Sequence, residues 1–354
     1  MNMKKYWVIG IMSGTSLDGT DLALCHFTES EGRWTFEIKK AVTYPYPAEW
    51  EERLRNAHQY DGLSLALLHA SYGHYLGSVA RRFLQQLPVR PHLIASHGHT
   101  VFHQPSARMT LQIGSGAALA AETGLPVVCD FRTTDVAKGG QGAPLVPAGD
   151  RLLFGSYFYC LNLGGFANIS FQQDDKRIAG DICPVNFVLN SLAARLGLSY
   201  DSGGNLARTG KMDANLFARL NALPFYHLQP PKSLGREWVE KNVTPLLNVD
   251  GLNDHDLLRT YTEHAAFQIT RVLDQDPGHQ MIVTGGGAYN TFLLERIRDL
   301  THNPVFIPDE LVIQYKEALI FAFLGVLRSR SQSNCLHSAT GATGDSSGGA
   351  VYLP

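Results

Sequence analysis

Residues 6–27 read YWVIGIMSGTSLDGTDLALCHF: two apolar runs, 6–12 and 20–27, around a short segment dense in Ser, Thr, Gly and Asp. Apolar runs of this length bounded by turn residues predict two strands and a connecting turn. The turn is open to two readings. A Gly/Ser/Thr turn between strands can aim several N–H groups and hydroxyls at one point and bind phosphate oxygens without a lysine. Asp18 or Asp21 could then hold Mg²⁺, through water. A plain hairpin built on Asx and Ser turns accounts for the stretch slightly better when it is read alone.

The same plan returns further on. YFYCLNLGGFANISF (157–171) is again apolar strand, Gly-containing turn, apolar strand. Between and after the two lie helical patterns. Leu65, Leu68, Tyr72, Leu76, Val79, Phe83 and Leu87 repeat at helical spacing and form one apolar face. GSGAALAAETG is a helix ended by Gly124, and FVLNSLAARLG, LLRTYTEHAAFQITRVL, TFLLERIRDL and EALIFAFLGVLRSR are further helices. Strands alternating with helices predict an α/β chain. Two strand–turn–strand units one domain apart suggest a duplicated architecture.

The 354 residues are enough for about two domains. Placing the boundary near residue 150 gives a first domain of 1–150 and a second of 151–338, with a tail, 339–354, that returns to the first. Hydrophobic residues are 44%, charged residues 18%, and the formal net charge is −2. Such a chain packs a core and carries no basic excess, which argues against a nucleic-acid or anionic-membrane partner. No run approaches the length of a membrane span. The apolar start gives way to a polar turn with no cleavage-site pattern, so it reads as a strand and not as a leader. The five cysteines show no CxxC spacing, which excludes a zinc ribbon and fits a reducing cytoplasm.

Several familiar nucleotide and nucleophile patterns are missing. There is no Walker A loop, and GSGAAL lacks the third small residue of a dinucleotide fingerprint. GDSSG (344–348) matches a nucleophile elbow, but only six residues follow it, so the match is chance. The triple glycine of VTGGGAYN, Gly285 to Gly287, ends a strand and opens a helix, a setting for close approach of a phosphate or flat ligand. A strand-to-helix turn alone would rarely need three glycines. With NLGGFAN (162–168) it makes three Gly turns at strand ends, which suits a nucleotide.

SHGHTVFH carries His97, His99 and His103, with no nearby acid or cysteine to complete a metal site; substrate binding or backbone capping is the better role. Arg132 and Asp135 leave two readings open: a bidentate carboxylate grip, or a structural ion pair. Asp181 in AGDICPVN is either a solvated turn acid or a general base. Glu317 is either a helix N-terminal charge or a contact to a sugar hydroxyl.

GIMSGTSLDGTD, SHGHTVFHQP, DFRTTDVAKGGQGAPLVP, LNLGGFANIS, PPKSLGRE and VTGGGAYN, in this order from about Gly10 to Ala342, resemble the anhydro-N-acetylmuramic acid kinase family. The resemblance implies the sugar kinase, Hsp70 and actin fold: two RNase H-like α/β domains with an interdomain cleft. It implies ATP and Mg²⁺ as cofactors and a small anhydro amino sugar as partner, no nucleic acid or membrane, and it leaves a homodimer open. The implied reaction opens 1,6-anhydro-N-acetylmuramic acid with water and phosphorylates O6, in cell-wall recycling. Under it, Ser13, Gly14, Thr15, Ser16, Leu17, Asp18, Gly19 and Thr20 cradle the β- and γ-phosphates, with Asp18 near Mg²⁺ through water. Gly164, Gly165 and Asn168 form the second phosphate loop, and Gly285, Gly286 and Gly287 the adenosine side. Asp181 is the catalytic base, and Arg132, Glu317 and His97 hold the sugar and its lactyl carboxylate.

The chain departs from the family pattern in three places. D-T-G-P-G-N becomes Asp181-Ile182-Cys183-Pro184-Val185-Asn186, which loses both glycines and the Thr. His99 replaces a Gln, and Leu234 stands where Thr is common. The first of these motivates a rival reading, a catalytically silent nucleotide- or sugar-binding regulator on the same fold.

Overall fold

The computed structural model describes residues 3–14, 17–229, 232–249, 251–274 and 276–354. In chain order its strands are β1 (Lys4–Met12), β2 (Thr20–Ser30), β3 (Arg33–Tyr44), β4 (Leu93–Ser96), β5 (His99–Gln104), β6 (Met109–Ile113), β7 (Val127–Cys129), β8 (Tyr159–Leu163), β9 (Phe166–Gln173), β10 (Lys176–Pro184), β11 (Met281–Thr284), β12 (Val305–Phe306) and β13 (Ala350–Tyr352). The chain divides into two compact units, Met1–Phe154 with Tyr315–Pro354, and Gly155–Gln314.

In the first unit β1 pairs antiparallel with β2 and β2 with β3, while β1, β4 and β7 run parallel. The order is β13-β7-β4-β1-β2-β3. Period-2 alternation along β1 and β2 sends Ile9, Ile11, Leu22 and Leu24 into one layer, where the Gly62–Leu84 helix meets them with Leu68, Tyr72, Leu76 and Phe83. That helix starts where Asp61 accepts from the Leu63 and Ser64 amides at 2.9 and 3.0 Å. The opposite face buries Val8, Ala23, Cys25 and Phe27 completely. Phe323 meets Phe27 there, with ring centroids 5.3 Å apart.

The second unit repeats this order. β8 pairs antiparallel with β9 and β9 with β10, and β8, β11 and β12 run parallel, giving β10-β9-β8-β11-β12. Numbered along each sheet, both contain the order 3-2-1-4-5 with the second strand antiparallel, and in the first β13 adds a sixth strand, antiparallel to β7. Leu161, Leu163, Ala167 and Ile169 enter one core with Val188, Leu192, Tyr261, Ile269 and Leu293 from the helices. Parallel strands of this kind place ligand sites outside their carboxyl ends.

The division differs from the 151–338 reading of the second domain. Residues 315–338 group with the first unit, and the first crossing falls at 154/155. The Glu310–Ser329 helix leaves helical geometry at Tyr315 (φ −114°, ψ 17°), where the chain re-enters the first unit. A Cβ on Gly10 would lie 1.8 Å from the Ala318 carbonyl oxygen, and one on Gly325 would lie 2.7 Å from the Ala95 Cβ. Two missing side chains thus let this helix lie directly on β1 and β4. Its period alone does not reveal which sheet it covers. Among the described residues no helix is long and apolar enough to cross a membrane. All five cysteines are buried, with no disulfide.

Candidate active site

In the first unit the candidate residues sit at the ends of β1, β4 and β7. The turn after β1 has a buried base. Ser13 is 1% exposed and its hydroxyl donates to the Gly98 carbonyl at 2.8 Å. A Cβ on Gly19 would stand 2.6 Å from the Tyr44 carbonyl oxygen, and Thr20 is wholly buried. These three support the turn. Gly14 and Leu17 are half-buried, Asp18 is exposed, and Leu17 holds φ +60°. Thr15 and Ser16 lie outside the described residues. Asp21 faces Thr43 across the ladder and accepts its hydroxyl at 2.6 Å. Burial raises its carboxyl above the usual range, Thr43 opposes this, and Asp18 adds a smaller push upward.

His97 follows β4, tied by its amide to the Ile11 carbonyl at 3.0 Å. Its Nδ1 lies 2.7 Å from the Gly98 carbonyl oxygen, so Nδ1 carries the proton. Its Nε2 then accepts from Arg132 Nε at 3.0 Å and Nη2 at 2.8 Å. Burial and the Arg132 charge hold the ring well below its ordinary pKa. Both ring nitrogens are therefore spent within the protein, and His97 orients Arg132. Arg132 Nη1 donates to the Gly142 carbonyl at 2.7 Å. Of five guanidinium N–H groups, two remain for a ligand.

Arg132 and Asp135 do not form the ion pair that their spacing allowed. Asp135 is buried and accepts from the Gly142 amide (2.7 Å), Thr340 Oγ1 (2.8 Å) and Cys335 Sγ (3.1 Å), closing the loop onto the C-terminal segment. Among the described residues no carboxylate pairs with Arg132. Glu317 is solvent-exposed, yet desolvation by surrounding protein raises its carboxyl. Arg132 pulls it down and Asp21 pushes it up. His103 stands apart in role, its Nδ1 3.0 Å from Thr110 Oγ1.

In the second unit a rung of polar side chains crosses the sheet. Asn162 on β8 faces Asn168 on β9, and Asn168 faces Asp181 on β10. Their neighbours Leu161, Leu163, Ala167 and Ile169 fill the core, so the asparagines project from the other face. Asp181 Oδ2 accepts from the Leu234 amide at 2.8 Å and from Ser233 Oγ at 3.3 Å. The Asp181 amide donates to the Lys232 carbonyl at 2.9 Å. Oδ1 takes no hydrogen bond from the described residues. Burial raises the Asp181 carboxyl, and the Leu234, Ser233 and Lys232 contacts oppose that.

The altered residues after Asp181 leave this arrangement intact. A bulge between Asp181 and Cys183 turns Ile182, Cys183 and Val185 into the core, each at most 2% exposed. Neither Cys183 nor Val185 has positive φ, so neither uses the left-handed region that favours glycine. Leu234 in place of Thr costs little at this point, because the contact is made by main chain.

The two glycine turns adjoin. Cβ atoms on Gly285 and Gly287 would lie 2.5 Å from Asn162 Oδ1 and 2.6 Å from Leu163 Cβ. Two of the three glycines thus have a packing reason, and Gly286 alone stays open. Asn186 Nδ2 donates to the Leu163 carbonyl at 3.1 Å. The Gly164 and Gly165 carbonyls accept from the amides of Val185, Asn186 and Phe187. The N–H groups of Gly164, Gly165, Gly286 and Gly287 have no acceptor among the described residues. Free backbone amides at adjoining turns can bind anions.

Sequence reading missed Asn162, Thr43 and the Ser233–Leu234 contact. Asn162 carried a signal, since it shares the strand alternation of Asn168. Thr43 and Leu234 act through cross-strand and main-chain contacts that leave no mark on residue type.

Residues 6–354 match the family model described as anhydro-N-acetylmuramic acid kinase. A protein of that name from Saccharophagus degradans is 35% identical, covering 99% of this chain and 100% of its own. Those from Vibrio cholerae and Hydrogenovibrio crunogenus are 34% and 32% identical, each over 98% of both chains. At this identity over the whole length, the chain belongs to the anhydro-N-acetylmuramic acid kinase family.

Proposed function

We propose that the protein uses ATP to convert 1,6-anhydro-N-acetylmuramic acid to N-acetylmuramic acid 6-phosphate in cell-wall recycling. Asp181 takes a proton from water through Oδ1 as the water oxygen bonds to C1. The C1–O6 bond breaks, and O6 bonds to the γ-phosphorus as the bond to the β–γ bridging oxygen breaks, releasing ADP. The charge that would build on O6 passes to the phosphoryl group in the same process. Catalysis is largely positioning and charge stabilisation. The observation that carries this reading is the state of Asp181, with one oxygen fixed by Leu234 and Ser233 and the other left for a ligand. A raised carboxyl pKa is what a general base requires.

The N–H groups of Gly164, Gly165, Gly286 and Gly287 receive nucleotide phosphate oxygens, with Asn168 beside them. The turn from Gly14 to Asp18 receives the β- and γ-phosphates on its ligand side, with Ser13, Gly19 and Thr20 beneath. Arg132, aligned by His97, and Glu317 contact the sugar. Asp18 and Asp21 offer an oxygen-only, partly solvated donor set, which fits a cation that keeps much of its water. Mg²⁺ held there through water would offset charge on the phosphates.

The silent-regulator reading drew on the altered loop after Asp181; the family match over nearly the whole chain favours the kinase instead. The test is incubation with Mg-ATP and either the anhydro sugar or N-acetylmuramic acid, following ADP and sugar phosphate. Turnover of the anhydro sugar is expected. No turnover of either sugar would sink the enzyme reading, and turnover of the open sugar alone would sink the hydrolytic step.

A further inference from the structure

Residues 139–142 read GGQG, and glycines at this density make a backbone that is costly to order. The same loop carries a contact to Arg132. Arg132 Nε and Nη2 both donate to one acceptor atom, His97 Nε2, and a single acceptor leaves the guanidinium free to rock about it. The Gly142 carbonyl, 2.7 Å from Nη1, is the second fixed point. Gly142 has φ +66° and no side chain to hold it by packing.

What holds Gly142 is Asp135. Its Oδ2 accepts from the Gly142 amide at 2.7 Å, and a Cβ on Gly140 would lie 2.2 Å from that same oxygen. Its Oδ1 accepts from Thr340 Oγ1 at 2.8 Å and from Cys335 Sγ at 3.1 Å. Asp135, Thr340 and Cys335 are each at most 1% exposed. A carboxylate buried so fully is costly unless donors are aimed at both oxygens, and the resulting bonds are strong. The Gln141 amide adds a second pin, donating to the Thr340 carbonyl at 2.8 Å.

Cys335 and Thr340 are placed in turn by the GDSSG stretch, 344–348, which has no role as a nucleophile elbow. Cys335 and Ser346 exchange both amide hydrogen bonds at 3.1 Å. Asp345 Oδ1 accepts from the His337 amide at 2.9 Å, at the start of the short His337–Thr340 helix. Gly348 lies against the residue before Arg132, where a Cβ would stand 2.5 Å from the Phe131 carbonyl oxygen. We propose that Asp135 is a positioning residue for the reaction and that the C-terminal stretch 335–348 is the strap that sets it. The contacts run from the strap to Asp135 and through Gly142 to Arg132. They fix the direction in which the two remaining Arg132 N–H groups meet the sugar. The proposal rests on the reading of Arg132 as a sugar contact.

Asp135→Asn keeps the shape but sets a donor against a donor. It should lower kcat/KM for the anhydro sugar by about 10- to 100-fold, with KM for ATP unchanged. The deciding readout is a double-mutant cycle with Arg132→Gln in kcat/KM for the sugar. Asp135→Asn should add nothing once Arg132 is gone, whereas a merely structural loop defect would add its full cost in both backgrounds. If Asp135→Asn does not fold, Thr340→Val and Thr340→Ser take its place. The first removes a donor to Asp135 and should lower kcat/KM for the sugar; the second keeps the donor and should stay near the wild-type value. Additive losses in the cycle, an equal loss of affinity for ATP, equal losses for the two Thr340 variants, or wild-type kinetics for Asp135→Asn would each overturn the proposal. A wild type that turns over neither sugar would overturn the kinase reading and this role together, a result distinct from additive losses in an active enzyme.

Discussion

The turn after β1 and the turn after β8 occupy the same place in two sheets of the same order, yet they carry opposite chemistry. The first has an exposed Asp18 and, on the strand beyond, Asp21, with Ser13 and Thr20 buried. The second has no charge of its own, only Gly164 and Gly165 with unaccepted N–H groups, flanked by Asn162 and Asn168. The rungs differ in the same sense. In the first unit the acid, Asp21, is on the middle strand and faces Thr43. In the second, the middle strand holds a neutral Asn168, and the acid, Asp181, is one strand further out. A duplicated scaffold therefore fixes where groups can stand, and the residue type at each rung decides what they do. The acidic turn suits a hydrated cation; the neutral turn suits close contact with phosphate oxygens, where a carboxylate would repel.

Asp181→Asn should break the contrast most severely. Loss of a general base costs about 10²- to 10⁴-fold in rate. Turnover should fall by that range while nucleotide binding, followed by calorimetry, stays largely intact. Retained turnover would remove Asp181 as the base.

Asp18→Asn probes the other turn. Loss of a water-mediated metal contact should raise the Mg²⁺ concentration for half-maximal rate by about 10- to 100-fold, with the effect reduced at saturating Mg²⁺. An unchanged Mg²⁺ dependence would detach Asp18 from the metal.

Within the glycine turns, Gly287→Val and Gly286→Val separate packing from binding. The first drives a Cβ into Leu163 and should cost about 1–3 kcal/mol in denaturant unfolding. At Gly286 an added Cβ meets no atom closer than 3.8 Å, so the second should spare stability more than the first and weaken ATP binding. Equal effects from both would mean that the turn serves packing only.

Ser233→Ala should give the smallest effect. The Ser233 hydroxyl lowers the Asp181 carboxyl and the residue is exposed. Its removal should move the acid limb of kcat/KM to higher pH, because the base must be ionised and its pKa rises. Stability at neutral pH should not change. A shift toward lower pH would contradict the assigned direction.

The duplicated strand–turn–strand plan was legible in the sequence because strands buried on one face show period 2 and turns show Gly. What stayed illegible depends on contacts between distant segments. The helix at 315–329 is apolar on most sides, so its pattern did not say which sheet it covers; the close approach at Gly10 and Gly325 did. The family motifs located Asp181 and Arg132 but not what holds them. Leu234 grips Asp181 through an amide that every residue except proline possesses, and His97 grips Arg132 with a tautomer that residue type does not reveal. The loop Asp181–Asn186 looked damaged because two glycines were missing. The sequence does not show that neither position takes a positive φ, while the Asp181 contacts to Leu234 and Ser233 stand. Conversely, the triple glycine looked like pure ligand chemistry, and two of the three prove to have packing neighbours.

The central claim is that water opens the sugar at C1 while O6 takes the phosphoryl group. Turnover of 1,6-anhydro-N-acetylmuramic acid with Mg-ATP in ¹⁸O-labelled water, read by mass spectrometry of the product, tests it directly. The account predicts one label per product molecule, on C1, with an unlabelled phosphoryl group. Label in phosphate with none on the sugar carbon would mean that water attacks the nucleotide, and would contradict it.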